Sequence, residues 1–72
     1  MLTNKPQRAS TEILERLELS RWFFQVIGGD TAAGRKPDPA GLLSIAKTVR
    51  AAPFEMLMVG DSSIDLQTAH RA

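Results

Sequence analysis

Four consecutive apolar residues, Met56 to Val59, lead directly into Gly60 and Asp61, and a second aspartate follows at position 65. A run of strand length without a polar residue is typical of a strand buried on both faces, as in the parallel sheets of α/β proteins. Ligands of such sheets bind beyond the carboxyl ends of the strands. The run therefore predicts an open α/β sheet and places Asp61 where ligands bind.

Strand-like and helix-like segments alternate along the rest of the chain. Apolar residues recur at helical spacing in two segments, which predicts helices at roughly 6–18 and 40–49. A last helix is expected at roughly 64–72, after the serines at 62 and 63. β-rich runs predict strands at Phe24–Ile27 and Met56–Val59, with Met1-Leu2 as a strand stub. The predicted order is strand stub, helix, strand, helix, strand and helix stub. Such alternation indicates an α/β fold with a parallel sheet.

The boundaries of these segments follow from residues that begin or interrupt regular structure. Pro6 suits a first helical position, although Ser10 is an alternative N-cap that would start the helix later. Ser62 or Ser63 is expected to cap the last helix. The Gly-Gly-Asp stretch at 28–30 lacks the spacing of a phosphate-binding glycine loop, so we interpret it as a chain reversal after a strand.

Composition excludes several classes of function. The 72 residues allow one small domain, 1–72, and a chain of about 60 residues buries only about 60% of its unfolded surface. Nine basic and eight acidic residues, scattered along the chain, give no electrostatic footprint for nucleic acid. The absence of cysteine excludes disulfides and cysteine-ligated zinc. Neither a membrane span nor a signal peptide is indicated, so we expect a soluble cytoplasmic protein.

Asp61 and Asp65 are candidate metal ligands. Mg²⁺ is commonly held by one or two carboxylates together with waters and a substrate phosphate. Asp61 would be a direct ligand, and Asp65, one helical turn further, would hold a metal-bound water or orient a lysine. The alternative is that Asp61 only follows the end of a strand and Asp65 only complements the positive end of a helix.

Lys36 and the segment Thr3-Asn4-Lys5 are candidate phosphate ligands. Lys36 lies in the predicted loop 31–39, between a glycine and a Pro-x-Pro sequence. Its ammonium suits phosphate oxygens or a carboxylate, although an isolated loop lysine is more often simply solvated. A hydroxyl and main-chain N–H groups at a helix N-terminus form a phosphate cradle. Thr and Asn are also ordinary helix caps, so this signal is weak when taken alone.

Taken in this order, the three motifs resemble those of the haloacid dehalogenase-like hydrolases, and in particular the subfamily of bacterial phosphoglycolate phosphatases. Thr3-Asn4-Lys5-Pro6 resembles the second motif of the family, where a Thr or Ser at a strand end binds phosphate. Lys36 resembles the lysine of the third motif. Residues 60–65 resemble the fourth motif, whose acidic pair holds Mg²⁺. The similarity extends over essentially all 72 residues.

The resemblance implies a partial Rossmann-like, three-layer α/β/α core and covalent phosphoryl transfer with Mg²⁺ as cofactor. An aspartate would attack the phosphorus, and water would hydrolyse the resulting aspartyl-phosphate. Thr3 and Lys36 would be catalytic and would bind the phosphate together with Asn4, whereas Asp61 and Asp65 would hold the metal. The implied substrate is a small phosphorylated metabolite, 2-phosphoglycolate or a related phosphate monoester.

The first motif of the family, Asp-x-Asp-Gly-Thr, carries the nucleophile and does not occur in this sequence, and neither does the helical cap domain. The strand of that motif lies between the strands that end at Thr3 and Val59. We therefore expect Met56–Val59 to lack a neighbour, and any residual pairing to join the Thr3 stub to Phe24–Ile27. The 72 residues alone are predicted to be inactive, weakly folded, and aggregation-prone or partner-dependent.

Three other interpretations stay open from the sequence. In the first, the chain is a non-catalytic module that binds phosphate and Mg²⁺. In the second, it is complemented by a separate chain that carries the nucleophile motif. In the third, it is a truncated gene product, which the start at Met1 and the uncapped end at Ala72 favour.

Overall fold

The computed structural model describes residues 1–31 and 33–72, so Ala32 of the predicted 31–39 loop lies outside the described residues. Three helices lie where the sequence predicts them, with ends that differ by two residues at most. They are α1 (Gln7–Arg16), α2 (Ala40–Val49) and α3 (Ser63–Arg71), and short 3₁₀ turns lie at Ser20–Trp22 and Pro53–Glu55. No helix in this part of the chain is both long and apolar enough to cross a membrane.

Helix α1 begins one residue later than predicted, because Pro6 is its N-cap and has an extended conformation (φ −54°, ψ 143°). The N–H of Gln7 donates a 2.8 Å hydrogen bond to Oδ1 of Asp30, which lies in the Gly-Gly-Asp reversal. The alternative cap, Ser10, is wrong, since this residue is buried inside the helix and its hydroxyl donates to the Pro6 carbonyl. The helix ends two residues before Glu18, whose φ is 57°.

Strand pairing in the described residues is limited to one parallel bridge between Leu2 and Ile27. The N–H of Thr3 donates to the Ile27 carbonyl over 3.0 Å, and the N–H of Ile27 donates to the Met1 carbonyl over 2.9 Å. The bridge joins the two segments between which residual pairing is predicted. It does not extend into a sheet, so the described residues do not form the strand-based three-layer core. A pair of short strands is at best marginally stable without further neighbours.

The prediction that Met56–Val59 is a strand buried on both faces is wrong, whereas its expected lack of a neighbouring strand agrees with the described residues. The segment begins with an extended Met56 (φ −105°, ψ 142°), but no described segment pairs with its main chain. Its side chains alternate, with Met56 and Met58 half-buried against a cleft, and with Leu57 and Val59 left 88% and 84% exposed. One face is therefore covered rather than both, because an apolar strand is enclosed only when neighbouring strands and helices complete the layers.

The core of the molecule is small. The glycine at position 41 allows α2 to approach the N-terminal stub, because a Cβ there would lie 2.7 Å from a methyl carbon of Leu2. On α3, the fully buried Thr68 donates its hydroxyl to the Ile64 carbonyl, so its burial leaves no polar group unpaired. Among the described residues, the buried apolar side chains are Leu14, Ile27, Leu42 and Ala46.

Candidate active site

The Thr3-Asn4-Lys5 turn links the single β-bridge to α1. The hydroxyl oxygen of Thr3 accepts a 3.2 Å hydrogen bond from the N–H of Lys5, which folds the main chain into a tight turn. The carbonyl of Lys5 accepts from the N–H of Gly29 over 2.9 Å. Among the described residues, no acceptor takes the main-chain N–H of Asn4. The turn is thus held by the Gly29 contact, and within the described residues the N–H of Asn4 has no protein acceptor.

The Gly-Gly-Asp reversal holds this turn in place. A Cβ at Gly29 would lie 2.7 Å from the carbonyl carbon of Asn4, so only glycine allows this approach of the two main chains. The side chain of Gln7 accepts from the N–H of Gly28 over 2.5 Å and donates to the Val26 carbonyl over 2.7 Å. The predicted chain reversal is confirmed, and it also fastens the start of α1.

The side chain of Asn4 forms two hydrogen bonds with the main chain of Lys36. Oδ1 of Asn4 accepts from the Lys36 N–H over 2.7 Å, and Nδ2 donates to the Lys36 carbonyl over 3.0 Å. Both polar atoms of the amide are therefore used on a residue that is 32 positions away in the sequence. This contact joins the turn before α1 to the loop before α2.

The side chain of Lys36 continues the connection to the start of α3. Its ammonium forms an ion pair and hydrogen bond with Oδ1 of Asp65, and the two side chains are only 14% and 9% exposed. The hydrogen bond from Lys36 is the main reason that the pKa of Asp65 lies below its ordinary value, with hydrogen bonds from Ser62 adding to the effect and burial opposing it. Asp65 is thus held as a carboxylate.

The other oxygen of Asp65 organises the start of α3. It accepts from the N–H groups of Asp61 and Ser62 over 3.1 and 3.3 Å, and from the Ser62 hydroxyl over 3.1 Å. The Ser62 hydroxyl in turn accepts from the N–H of Asp65, which completes a capping box. Ser62 is therefore the N-cap, one of the two residues predicted. A side chain at Gly60 would collide with the Asp65 carboxylate, which explains the glycine at this position.

Asp61 lies beside this network with an exposed carboxylate that accepts no hydrogen bond from the described residues. Only its main-chain N–H contacts Asp65. In the part of the chain that the structure describes, no three His, Cys, Asp or Glu side chains cluster as a metal-binding group. The Asp61 carboxylate is therefore the one acidic group at the start of α3 that is open to a ligand, as far as the described residues show.

Five predicted site residues thus fall into two groups. Asn4, Lys36 and Asp65 form one hydrogen-bonded chain that crosses all three sequence motifs. Thr3 and Asp61 are attached to its two ends through the main chain, and within the described residues their side chains make no contact with one another by hydrogen bonding.

The sequence model of the haloacid dehalogenase-like hydrolases matches residues 1–72. The chain belongs to this family. An α/β fold fits the family, although the described residues form helices and one β-bridge rather than strands. No solved structure matches the chain.

Curated relatives match over the whole chain. It is 42% identical to a phosphoglycolate phosphatase of Pseudomonas syringae and 43% identical to phosphoglycolate phosphatase 1 of Pseudomonas aeruginosa, over all 72 residues in both cases. It is also 43% identical to the phosphoglycolate phosphatase of Escherichia coli. The chain spans 26% of the length of each Pseudomonas relative and 29% of the Escherichia coli relative.

Two residues that support the site were not singled out from the sequence. Gln7 and Asp30 fasten the Thr3-Asn4-Lys5 turn to the reversal, through the contacts described above. The signal for Asp30 was its position directly after two glycines, where a short carboxylate can reach a free helix N-terminus. Gln7 had no such signal, because its partners are main-chain atoms about 20 residues away.

Proposed function

We propose that this chain supplies the phosphate- and magnesium-binding part of the active site of a phosphatase that hydrolyses a small phosphate monoester such as 2-phosphoglycolate. The observation that carries the proposal is the hydrogen-bonded chain from Asn4 through Lys36 to Asp65, which joins residues from three separated motifs. The names of the relatives support the substrate class.

Three donors are proposed for the phosphate. They are the Thr3 hydroxyl, the open N–H of Asn4 and the Lys36 ammonium, which carries the positive charge needed to neutralise phosphate oxygens. Such donors stabilise the transition state of phosphoryl transfer, where negative charge spreads over the equatorial oxygens. Lys36 pairs with a carboxylate through one of its three N–H donors, so donors are left for the substrate.

The residues fit a magnesium site in which Asp61 is the direct ligand. Mg²⁺ keeps several waters and needs only one or two protein carboxylates besides substrate phosphate. The Asp61 carboxylate is open, whereas both oxygens of Asp65 already accept hydrogen bonds from protein groups. We therefore assign Asp65 to holding Lys36 and the 60–62 main chain, with any contact to the metal passing through water. Bound Mg²⁺ would supply charge neutralisation at the phosphate.

The nucleophile must come from another segment of polypeptide, because no Asp-x-Asp-Gly-Thr motif is present. In the proposed reaction that aspartate attacks phosphorus and the bond to the ester oxygen breaks, which releases the alcohol, glycolate in the case of 2-phosphoglycolate. Water then hydrolyses the aspartyl-phosphate to inorganic phosphate and the free aspartate. We expect the 72 residues alone to hydrolyse no substrate, since loss of a covalent nucleophile costs several powers of ten in rate.

Ligand-dependent thermal unfolding of the 72-residue chain tests the binding part of this proposal. Phosphate with Mg²⁺ should raise the melting temperature by mass action. Lys36→Met should abolish the response to phosphate, and Asp61→Asn should abolish the response to Mg²⁺. Glu12→Gln, which removes an exposed carboxylate from α1, is the matched control and should respond as wild type. A melting temperature that is indifferent to both ligands would contradict the proposal.

Co-expression distinguishes a phosphatase from a module that only binds. A second chain that carries the nucleophile motif is expected to restore hydrolysis of 2-phosphoglycolate when it is produced together with this chain. The activity should disappear with Lys36→Met in this chain. A soluble complex that binds phosphate but releases none from the substrate would favour the non-catalytic alternative.

A further inference from the structure

The loop that carries Lys36 has few attachments of its own. It contains Gly34 in a left-handed conformation (φ 86°), and within the described residues its internal main-chain hydrogen bonds join Gly34 to Thr31 and Asp38 to Arg35. Neither of these bonds involves Lys36. Its main-chain N–H and carbonyl both bond to the Asn4 side chain instead. The bond between Arg35 and Asp38 closes a turn around Lys36, and among the described residues the Asn4 amide is what ties this turn to the start of α1.

The side chain of Lys36 is long, so the position of its ammonium depends on where its main chain is held. Four rotatable bonds separate the ammonium from Cα, and each conformer that reaches Asp65 requires the main chain to lie at a particular distance from the start of α3. A displacement of about 1 Å at a reacting group can cost about 100-fold in rate. Hydrogen bonds that fix the Lys36 main chain therefore also restrict the positions that its ammonium can reach.

We propose that Asn4 is a positioning residue, whose two hydrogen bonds to the Lys36 main chain place the Lys36 ammonium between Asp65 and the bound phosphate. The side chain of Asn4 thus acts indirectly, through Lys36. Its main-chain N–H has the separate, direct contact with phosphate that is proposed above. The contact of the Lys36 ammonium with Asp65 is observed in the structure. Its contact with phosphate rests on the proposed function.

The reactivity of the Lys36 amine tests this role in the 72-residue chain. The probe is an N-hydroxysuccinimide ester of acetic acid, with the acetylated fraction of each lysine measured by peptide mass spectrometry. Lys47, exposed on α2, is the internal reference. In wild type, Lys36 should react much more slowly than Lys47, because its side chain is 14% exposed and ion-paired.

Two variants distinguish a specific effect of Asn4 on the position of Lys36 from a general loss of stability at the start of the chain. Asn4→Ala should raise the ratio of Lys36 to Lys47 acetylation on the order of tenfold, which the loss of two net hydrogen bonds permits. Ser10→Ala also deletes a hydrogen bond near the start of α1, to the Pro6 carbonyl, but removes none of the hydrogen bonds of Lys36. It should leave the ratio unchanged. An unchanged ratio in Asn4→Ala, or an equal rise in Ser10→Ala, would overturn the proposal.

A conservative variant covers the case in which Asn4→Ala does not fold. Asn4→Asp keeps the acceptor for the Lys36 N–H but replaces the donor to its carbonyl with a carboxylate oxygen that repels it, so the ratio should again rise above wild type. In a folded Asn4→Asp protein, judged by circular dichroism, a ratio identical to wild type would refute the role of Asn4.

A second arm of the same experiment keeps the two proposals distinguishable. Inorganic phosphate with Mg²⁺ should slow the acetylation of Lys36 in wild type, because the amine would then be covered by the ligand. If Asn4→Ala raises the reactivity but phosphate gives no protection, the positioning role stands and the phosphate site fails. If phosphate protects Lys36 but neither Asn4→Ala nor Asn4→Asp changes its reactivity, the phosphate site stands and the positioning role fails.

Discussion

Lys36 is held by two different parts of the molecule, its main chain by Asn4 and its ammonium by Asp65. At the scale of single residues, the pairing with Asp65 has a measurable consequence. The hydrogen bond from Lys36 lowers the pKa of Asp65 in the folded chain relative to its ordinary value of 3.8. A lowered carboxyl pKa means that the folded state is favoured while Asp65 is ionised.

The stability of the chain should therefore fall in acid because of Asp65. Its contribution is complete above the ordinary carboxyl pKa and is lost as the pH falls through the lower pKa of the folded state. Asp65→Asn should destabilise the chain at pH 7 and lose part of that difference below about pH 4. Urea unfolding at a series of pH values measures this. Asp38→Asn, which also touches a helix start but has no lysine partner among the described residues, is the control.

At the scale of elements, a side chain accepts from a main-chain N–H at the start of each α-helix, namely Asp30 for α1, Asp38 for α2 and Ser62 for α3. The end of α2 has a less favourable main-chain conformation. Arg50 is the C-cap and has a left-handed conformation (φ 56°, ψ 40°). The N–H of Ala51 closes the motif by donating to the Ala46 carbonyl over 2.9 Å. Glycine adopts this conformation without the steric cost that a Cβ imposes, and it is the usual residue at such helix ends.

Arg50→Gly is expected to stabilise the chain by up to about 1 kcal/mol, because it relieves a left-handed conformation that the fold already requires. The same change three residues earlier, Lys47→Gly, lies inside α2 and should destabilise it by about 1 kcal/mol. Chemical unfolding of both variants measures the difference in sign. A loss of stability in Arg50→Gly would show that the arginine side chain contributes more than its backbone costs.

At the scale of the whole molecule, the small core leaves apolar surface without a cover. Leu57 and Val59 project from the same face of an extended segment whose main chain has no partner in the described residues. The opposite face, with Met56 and Met58, lines a cleft of about 240 Å³ that also touches α2 and α3. Exposed apolar segments with open main-chain groups are templates for pairing with other chains.

Charged substitutions should accordingly reduce self-association without loss of fold. Leu57→Lys with Val59→Lys places two ammonium groups on the open face, and sedimentation velocity should show less concentration-dependent association than in wild type. Helical circular dichroism should persist. Met58→Lys, on the half-buried face, is the matched control and should lower stability instead. Equal association in the double variant and wild type would mean that another surface drives it.

Local signals in the sequence were sufficient for the helices and for one cap. The periodicity of Leu42, Ala46 and Val49 predicts α2 with both of its ends, because each residue of a helix needs only neighbours within four positions. Ser62 is the cap for the same reason, since its partner Asp65 lies three residues away. The membership of the family was also readable from three short motifs.

The sheet and the connections within the site depend on partners that are distant in the sequence. An apolar run predicts a strand, but a strand is formed only when another segment accepts its hydrogen bonds, and no described segment does so for Met56–Val59. The sequence by itself determined the helices and the membership of the family. Only the tertiary structure decided that Asn4 holds the Lys36 main chain and that Lys36 pairs with Asp65, because such contacts join atoms about 30 residues apart.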